Sequence, residues 1–421
     1  MPQTDGWTRF AASALIDAGV IEIGDGYRAK LDELGPDGLP FARAAQIDGG
    51  FELGLDCLRT EFLQRAGPKV SRAGDVVLTT KGTVGRIALV RTDTPGFVYS
   101  PQLSYWRSLR PEVLNARFLY YWMQGTEFRA QIAAVEGQTD MAAYVSLRDQ
   151  RRMTLAIPSP DTQQGICALL GAIDDKIDLN RKSSATLEEL ARAVFASSFG
   201  ILDPERDPAG WTVASLGDHV EVMRGLSYTG AGLADDGVPL HNLDSIHEGG
   251  GYKYEGTKHY RGDYKDRNVV RSGDLLVVNT EQGFDHLLIG FPALVPERFG
   301  DKSLFSADLF RIKPSPGSHL TTRFLYVALM SPRLRQLIVG YSNGTTVNHL
   351  AADGLQRPRL AVPPAELVQR FDRTVAPLFA KQERLQLECE TLAQLRDVLL
   401  PKLMSGELRL KEAEKTAAEA T

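Results

Sequence analysis

A chain of 421 residues exceeds what one ordinary hydrophobic core organises, so two or more domains are expected. Its 43% hydrophobic and 24% charged residues describe a soluble globular protein, and no run approaches the roughly 18 consecutive apolar residues of a membrane span. A formal net charge of −5 argues mildly against a nucleic-acid binder, unless Lys and Arg cluster on one face. Cys57, Cys167 and Cys389 are far apart, which excludes a local zinc cage and fits a reducing cytoplasm. The opening "MPQTDGWTRF" has neither a basic start nor an apolar stretch behind it, so secretion is not expected.

In chain order, short strands punctuated by Gly, Pro and Asp turns lead to "GDVVLTTKGTVGRIALV" at 74–90. This segment predicts a strand, a tight polar turn and a second strand. Thr80, Lys81, Thr83 and Arg86 ride on the turn with Gly82 and Gly85. Such a loop suits either a phosphate cradle or a probe into a nucleic-acid groove. A helix over "NARFLYYWMQGTEFRAQI" follows, then the polar connection "EGQTDMAAYVSLRDQRRM", a Pro-bearing link and one long helix.

The same order of parts then repeats. "DGLPFARAAQIDGG" at 37–50 answers to "DGVPLHNLDSIHEGG" at 236–250, and "RAGDVVLTTKGTVGRIALV" to "RSGDLLVVNTEQGFDHLLIGFPALV". "ARFLYYWM" answers to "TRFLYVALM", and "ATLEELARAVF" to "ETLAQLRDVLL". An offset near 205 residues is far longer than a solenoid period and predicts two copies of a domain-plus-helix unit.

Both long helices carry a heptad-like track. Ile166, Leu170, Ile173, Ile177, Asn180, Ser184, Leu187, Ala191 and Val194 form the first. Phe371, Val375, Leu378, Gln382, Leu385, Cys389, Leu392, Arg396 and Leu399 form the second. Asn180 and Gln382 would place polar groups in the seam, where they fix register at some cost in stability. At 1.5 Å per residue, roughly 38 residues make a helix of about 57 Å. A pair spanning two globular heads is expected; the alternative is that each is a core helix of its own domain.

Catalytic motifs are missing. No Gly–Lys dipeptide occurs, so the 79–86 loop is not a Walker-type cradle. The sole Pro–Pro pair, 363–364, lies between Val362 and Ala365, which is not the Asn/Asp–Pro–Pro–aromatic grip of an amino-methyltransferase. His247 and Glu248 begin a zinc-protease pattern that fails at Gly251. Neither Pro36–Asp37 nor Pro160–Asp161 is followed at short range by a nuclease-type Glu-x-Lys.

The order of variable domain, "IPSPDTQQGICALLGAIDDKIDLNRKSSATLEELARAVFASSF", second variable domain and second helix resembles the DNA-specificity subunit of type I restriction–modification systems. The likeness covers residues 6–410. It implies an α+β fold: two repeated mixed α/β target recognition domains, each followed by a long helix, the two helices pairing as an antiparallel coiled coil. The expected parts are a first target recognition domain at 1–157, a spacer helix at 158–204, a second domain at 205–361, a second spacer helix at 362–404 and a flexible tail at 405–421. The resemblance implies sequence-specific recognition of a bipartite double-stranded DNA target by a non-catalytic, cytoplasmic subunit. Its implied partners are two methyltransferase subunits and restriction/translocase subunits. S-adenosylmethionine, ATP and Mg are expected only in those partners, with no cofactor or metal in this chain.

Base edges require paired donors and acceptors, which Arg, Lys, Asn, Gln, Ser and Thr supply. The first head offers Thr80, Lys81, Thr83 and Arg86 on the hairpin, and Gln138 and Thr139 on the later polar connection. The second offers Asn279, Thr280, Glu281 and Gln282 in the matching hairpin, with Asn343, Thr345, Thr346 and Asn348 in "YSNGTTVNHL". The same residue types also occur simply because turns favour them. Arg148, Arg151 and Arg152 suit phosphates or a methyltransferase dock as well as they suit a solvated face, and the "YRGDYKDRNVVR" segment suits phosphates or a solvated hairpin edge. A different function stays open: a coiled-coil scaffold with two protein-binding heads and no DNA readout.

Overall fold

The computed structural model describes residues 7–47, 50–136, 144–205, 210–283, 285–344 and 346–420. The chain divides into two compact units, Met1–Asp178 with Cys389–Thr421, and Leu179–Glu388.

In the first unit, the main antiparallel sheet runs in the order Ile21–Asp25, Leu103–Ser108, Val76–Thr79, Ile87–Leu89. The strand Val76–Thr79 is buried on both faces, which explains its continuous apolar run. Alternation then sorts its side chains. Val76 and Leu78 face a core with Phe118, Trp122, Ile166 and Leu170, while Val77 faces Phe97, Tyr99 and Tyr105. The helix Ala116–Gln124 starts where the Asn115 side chain accepts from the Arg117 and Phe118 amides. A second sheet joins Leu34–Gly35, Cys57–Leu58, Leu39–Ala42 and Val98–Tyr99.

Asp75 and Arg107 form a buried ion pair beside the main sheet, with Nε and Nη2 of Arg107 2.6 and 2.7 Å from the two carboxylate oxygens. The Tyr99 hydroxyl donates to Asp75 at 2.6 Å, and Arg107 Nη2 also donates to the Pro68 and Val70 carbonyls.

In the second unit, the main sheet runs Val220–Arg224, Leu309–Pro314, Leu275–Val278, Pro292–Leu294, again antiparallel throughout. Its companion sheet has the order Leu233–Ala234, Lys258–Tyr260, Val238–His241, Ser303–Phe305, Val269–Val270. Phe195, Phe199, Phe324 and Phe371 pack edge to face in its core, with Phe195 and Phe199 centroids 5.0 Å apart.

His241 lies fully inside this unit, its Nδ1 2.6 Å from the Tyr252 hydroxyl and its Nε2 2.8 Å from the Ser303 hydroxyl. Burial pushes its pKa down from 6.5 to about 3. The unfolded chain takes up a proton near 6.5 that the folded chain refuses until about 3, so stability is present above that window and is lost on acidification through it. This site alone is expected to remove roughly 2 kcal/mol of unfolding free energy by pH 5. Urea titrations of H241N at pH 7 and pH 5 should show that part of the pH dependence gone.

The long helices are Pro160–Phe199 and Ala365–Met404. Within the first unit they pack antiparallel, Cys389 Sγ lying 3.6 Å from the Ile177 carbonyl and Arg396 pairing with Asp174 at 3.2 Å. Within the second unit Asn180 donates to Glu388 at 2.9 Å, and Phe195 meets Phe371. Asn180 is buried and partnered, the arrangement a register-setting polar residue requires. The helix ends also belong to the cores of the two units: Ile166–Ile177 and Leu392–Met404 pack with the first sheet, and Val368–Val375 with the second. Residues expected as a flexible tail instead include a helix, Leu410–Ala420, whose Ala413 is buried in the first core. Leu410 packs against Gly165 of the first long helix, an apolar contact that an Ala-, Glu- and Lys-rich composition does not advertise. Among the described residues no helix is long and apolar enough to cross a membrane.

Candidate nucleic-acid interface

The hairpin turn of the first unit is held from within. The Arg86 amide donates to Thr79 Oγ1 at 2.9 Å and the Gly85 amide to the Thr79 carbonyl at 3.0 Å. Gly82 and Gly85 take φ of 84° and 92°, a region other residues avoid. Lys81 then pairs antiparallel with Tyr144, and the Val145 amide donates to the Thr80 carbonyl at 3.0 Å. The end of the polar connection after the helix therefore lies alongside the hairpin. Lys81, Thr83 and Tyr144 are exposed, and Arg86 is half-buried with Nη1 donating to the Ile47 carbonyl at 3.2 Å. The short helix Leu147–Arg152, capped by Ser146, follows at once and exposes Arg148, Arg151 and Arg152. Gln138 and Thr139 lie outside the described residues.

The second unit brings its two loops together more extensively. The strand Thr280–Gln282 pairs with Val347–Leu350, which pairs with Ser342–Asn343. Glu281 stands opposite Asn348 and Gln282 opposite Val347. Gln282, Asn343 and Thr346 are exposed on this small sheet; Thr345 lies outside the described residues.

Four of the expected readers turn inward. Thr80 is buried and donates to the Gln102 carbonyl at 3.1 Å. Asn279 donates to the Ala307 carbonyl at 3.0 Å and accepts from Thr280 at 2.8 Å, while Asn348 donates to the Gly283 carbonyl. Thr80, Asn279 and Asn348 spend their donors on backbone carbonyls and Thr280 spends its own on Asn279, so these side chains hold the surface rather than present it. Within "YRGDYKDRNVVR", Arg261 is engaged by Asp236.

Glu281 has a role its sequence position hides. It is 3% exposed, and its two oxygens accept from the Leu287 amide at 2.6 Å and the Ile289 amide at 2.9 Å. One carboxylate thus closes the loop that runs past Gly283 and past His286, a non-glycine residue at φ 52°. Arg335 stacks on Phe291 at 3.6 Å; burial pushes its pKa down while the Glu281 charge opposes that shift. An acidic residue inside the strand-like run "LLVVNTEQG" was the available signal, since a carboxylate entering a buried strand needs donors.

The two surfaces differ in charge. The first unit exposes Lys81 on the hairpin and Arg148, Arg151 and Arg152 on the helix that follows Val145, whereas the second exposes Gln282, Asn343 and Thr346 with Asp285 and His349. Thr280 Oγ1 lies 3.2 Å from His349 Nδ1, but Thr280 is buried and donates to Asn279, and among the described residues no cluster of His, Cys, Asp and Glu is placed to hold a metal.

No protein-family model matches the chain. It is 23% identical over 359 residues to the type I restriction enzyme MjaIX specificity subunit of Methanocaldococcus jannaschii, covering 80% of this chain and 78% of that protein. It is 24% identical over 410 residues to the type I restriction enzyme HindI specificity subunit of Haemophilus influenzae, covering 81% and 88%. The fold is similar to that of the S subunit of a type I restriction–modification system from M. genitalium, with a TM-score of 0.54 at 15% identity over 94% of this chain and 96% of that one.

Proposed function

We propose that this homologue of type I restriction enzyme specificity subunits selects a bipartite double-stranded DNA target, one half-site per unit, and takes no part in bond making or breaking. One observation carries the proposal. In each unit, two loops separated by more than sixty residues are drawn together by backbone pairing into one exposed polar surface, Lys81 with Tyr144 and Thr280–Gln282 with Val347–Leu350. A surface built from two chain segments is rigid enough to aim side chains at base edges, while phosphate contacts set register. The basic surface of the first unit suits guanine-rich edges and backbone phosphates. The amide and hydroxyl surface of the second suits adenine and mixed edges.

The shared strand order of the two main sheets supports an internal duplication, and the antiparallel helix contacts in each unit support a coiled coil that sets the separation of the half-sites. The partners of this reading are two methyltransferase subunits and restriction/translocase subunits. S-adenosylmethionine, ATP and Mg act in those partners and not in this chain.

Salt titration of the full chain on random duplex DNA tests the reading. Affinity is expected to fall about a hundredfold between roughly 0.05 and 0.2 M salt, the loss for about four phosphate contacts. A scaffold with protein-binding heads would bind duplex weakly and with no such slope.

A further inference from the structure

A guanidinium links sheet to helix in the first unit, and the matching position of the second is a proline. In the first unit Val76 lies opposite Leu89, and two residues further on Arg91 reaches the first long helix, where it pairs with both Asp175 and Asp178. In the second unit Leu275 lies opposite Leu294, so the position two residues on is Pro296. The strand ends are anchored alike: the Val90 amide donates to the Asp75 carbonyl at 2.9 Å, and the Val295 amide to the Asp274 carbonyl at 2.9 Å. The shift of 205 that carries Ile166 onto Phe371 and Leu170 onto Val375 carries Asp178 onto Glu383. The helix has kept its carboxylate where the sheet has lost its arginine.

Glu383 faces a cleft of about 730 Å³ within the second unit. Tyr252, Tyr254 and Phe379 supply aromatic walls, with the Arg298 guanidinium 5.4 Å from the Tyr254 ring centroid, and Glu297 and Glu188, the latter paired with Arg192 at 2.6 Å, add carboxylates. Arg323 is the one basic side chain among the described lining residues, and it pairs with Asp372 at 3.0 Å. His247 is also in the wall, and burial pushes its pKa below the ordinary 6.5. Glu383 accepts the Glu297 amide, and burial pushes its pKa up. Carboxylates and ring faces around a cleft of small-molecule size are the complement of a weakly hydrated organic cation.

We propose that this cleft binds a guanidinium or alkylammonium group against Glu383, Tyr254 and Phe379, supplied from outside where the first unit uses Arg91. The site does not depend on the DNA reading and is expected to fill with no duplex present.

Calorimetric titration of the full chain with agmatine is expected to give a dissociation constant below about 1 mM. E383Q should weaken it at least about tenfold, the loss of one charge-assisted contact. P296R should abolish binding, because the new side chain takes the place of the ligand as Arg91 does in the first unit. Pro296 has φ −66°, which arginine adopts freely. Nα-acetylarginine amide distinguishes sources: binding as tight as agmatine marks a side chain presented by a partner protein, and binding by agmatine alone marks a free diamine-like cation. No binding of either probe, or binding unchanged in both E383Q and P296R, overturns the proposal.

Discussion

Replacing Arg107 with methionine is expected to destabilise the first unit by about 3–5 kcal/mol, read as a fall in the urea midpoint of its unfolding. Asp75 is completely buried and Arg107 4% exposed, so water cannot take over for the missing guanidinium. The carboxylate would keep the Tyr99 hydroxyl at 2.6 Å and the Arg72 amide at 2.8 Å, two donors for a full negative charge. The Pro68 and Val70 carbonyls would lose their donor as well. The pair itself is not expected to be worth so much, since its desolvation cost offsets most of its attraction. R107M/D75N should therefore recover a large part of the loss: asparagine can still accept from Tyr99 and Arg72 without carrying charge. A double variant as unstable as R107M alone would show that the cost lies in packing.

Glu281→Ala is expected to remove half-site discrimination by the second unit while leaving the first unit's half-site unaffected. The Leu287 and Ile289 amides would lose their shared acceptor, and the loop past His286 would no longer present Gln282 in one geometry. Each well-aimed pair of base contacts is worth about 1–3 kcal/mol, so discrimination at that half-site should fall by roughly 5- to 150-fold. Two buried amides left without an acceptor should also cost about 2 kcal/mol or more of stability. Competition binding with duplexes altered in one half-site at a time separates these effects. Glu281→Gln keeps one acceptor oxygen and should fall between Ala and the native chain. An equal loss at both half-sites would mean that the substitution acts through global stability rather than through the loop.

The two surfaces show how far residue type alone carries. Lys81, Thr83, Gln282, Asn343 and Thr346 are polar and exposed, whereas Thr80, Asn279, Thr280 and Asn348 are polar and buried. Composition does not separate the two sets. Their difference lies in where the fold sets their partners: Thr80, Asn279 and Asn348 donate to carbonyls 22 to 65 residues away, and Thr280 donates to the Asn279 side chain.

Local order was within reach of the sequence. Apolar spacing and the prolines ahead of each run marked the long helices at 160–199 and 365–404. The Gly-punctuated hairpin after Asp75 was equally plain, because the backbone preferences involved act within a few residues. Missing catalytic tetrapeptides are likewise local facts. Only the tertiary structure decided that Lys81 meets Tyr144, that Glu281 closes a loop, and that Arg91 spans to Asp178 while Pro296 leaves Glu383 facing a cleft. Such contacts join segments tens of residues apart. No periodicity records them, since hydrogen bonds and ion pairs depend on where the fold sets their partners and not on their spacing along the chain.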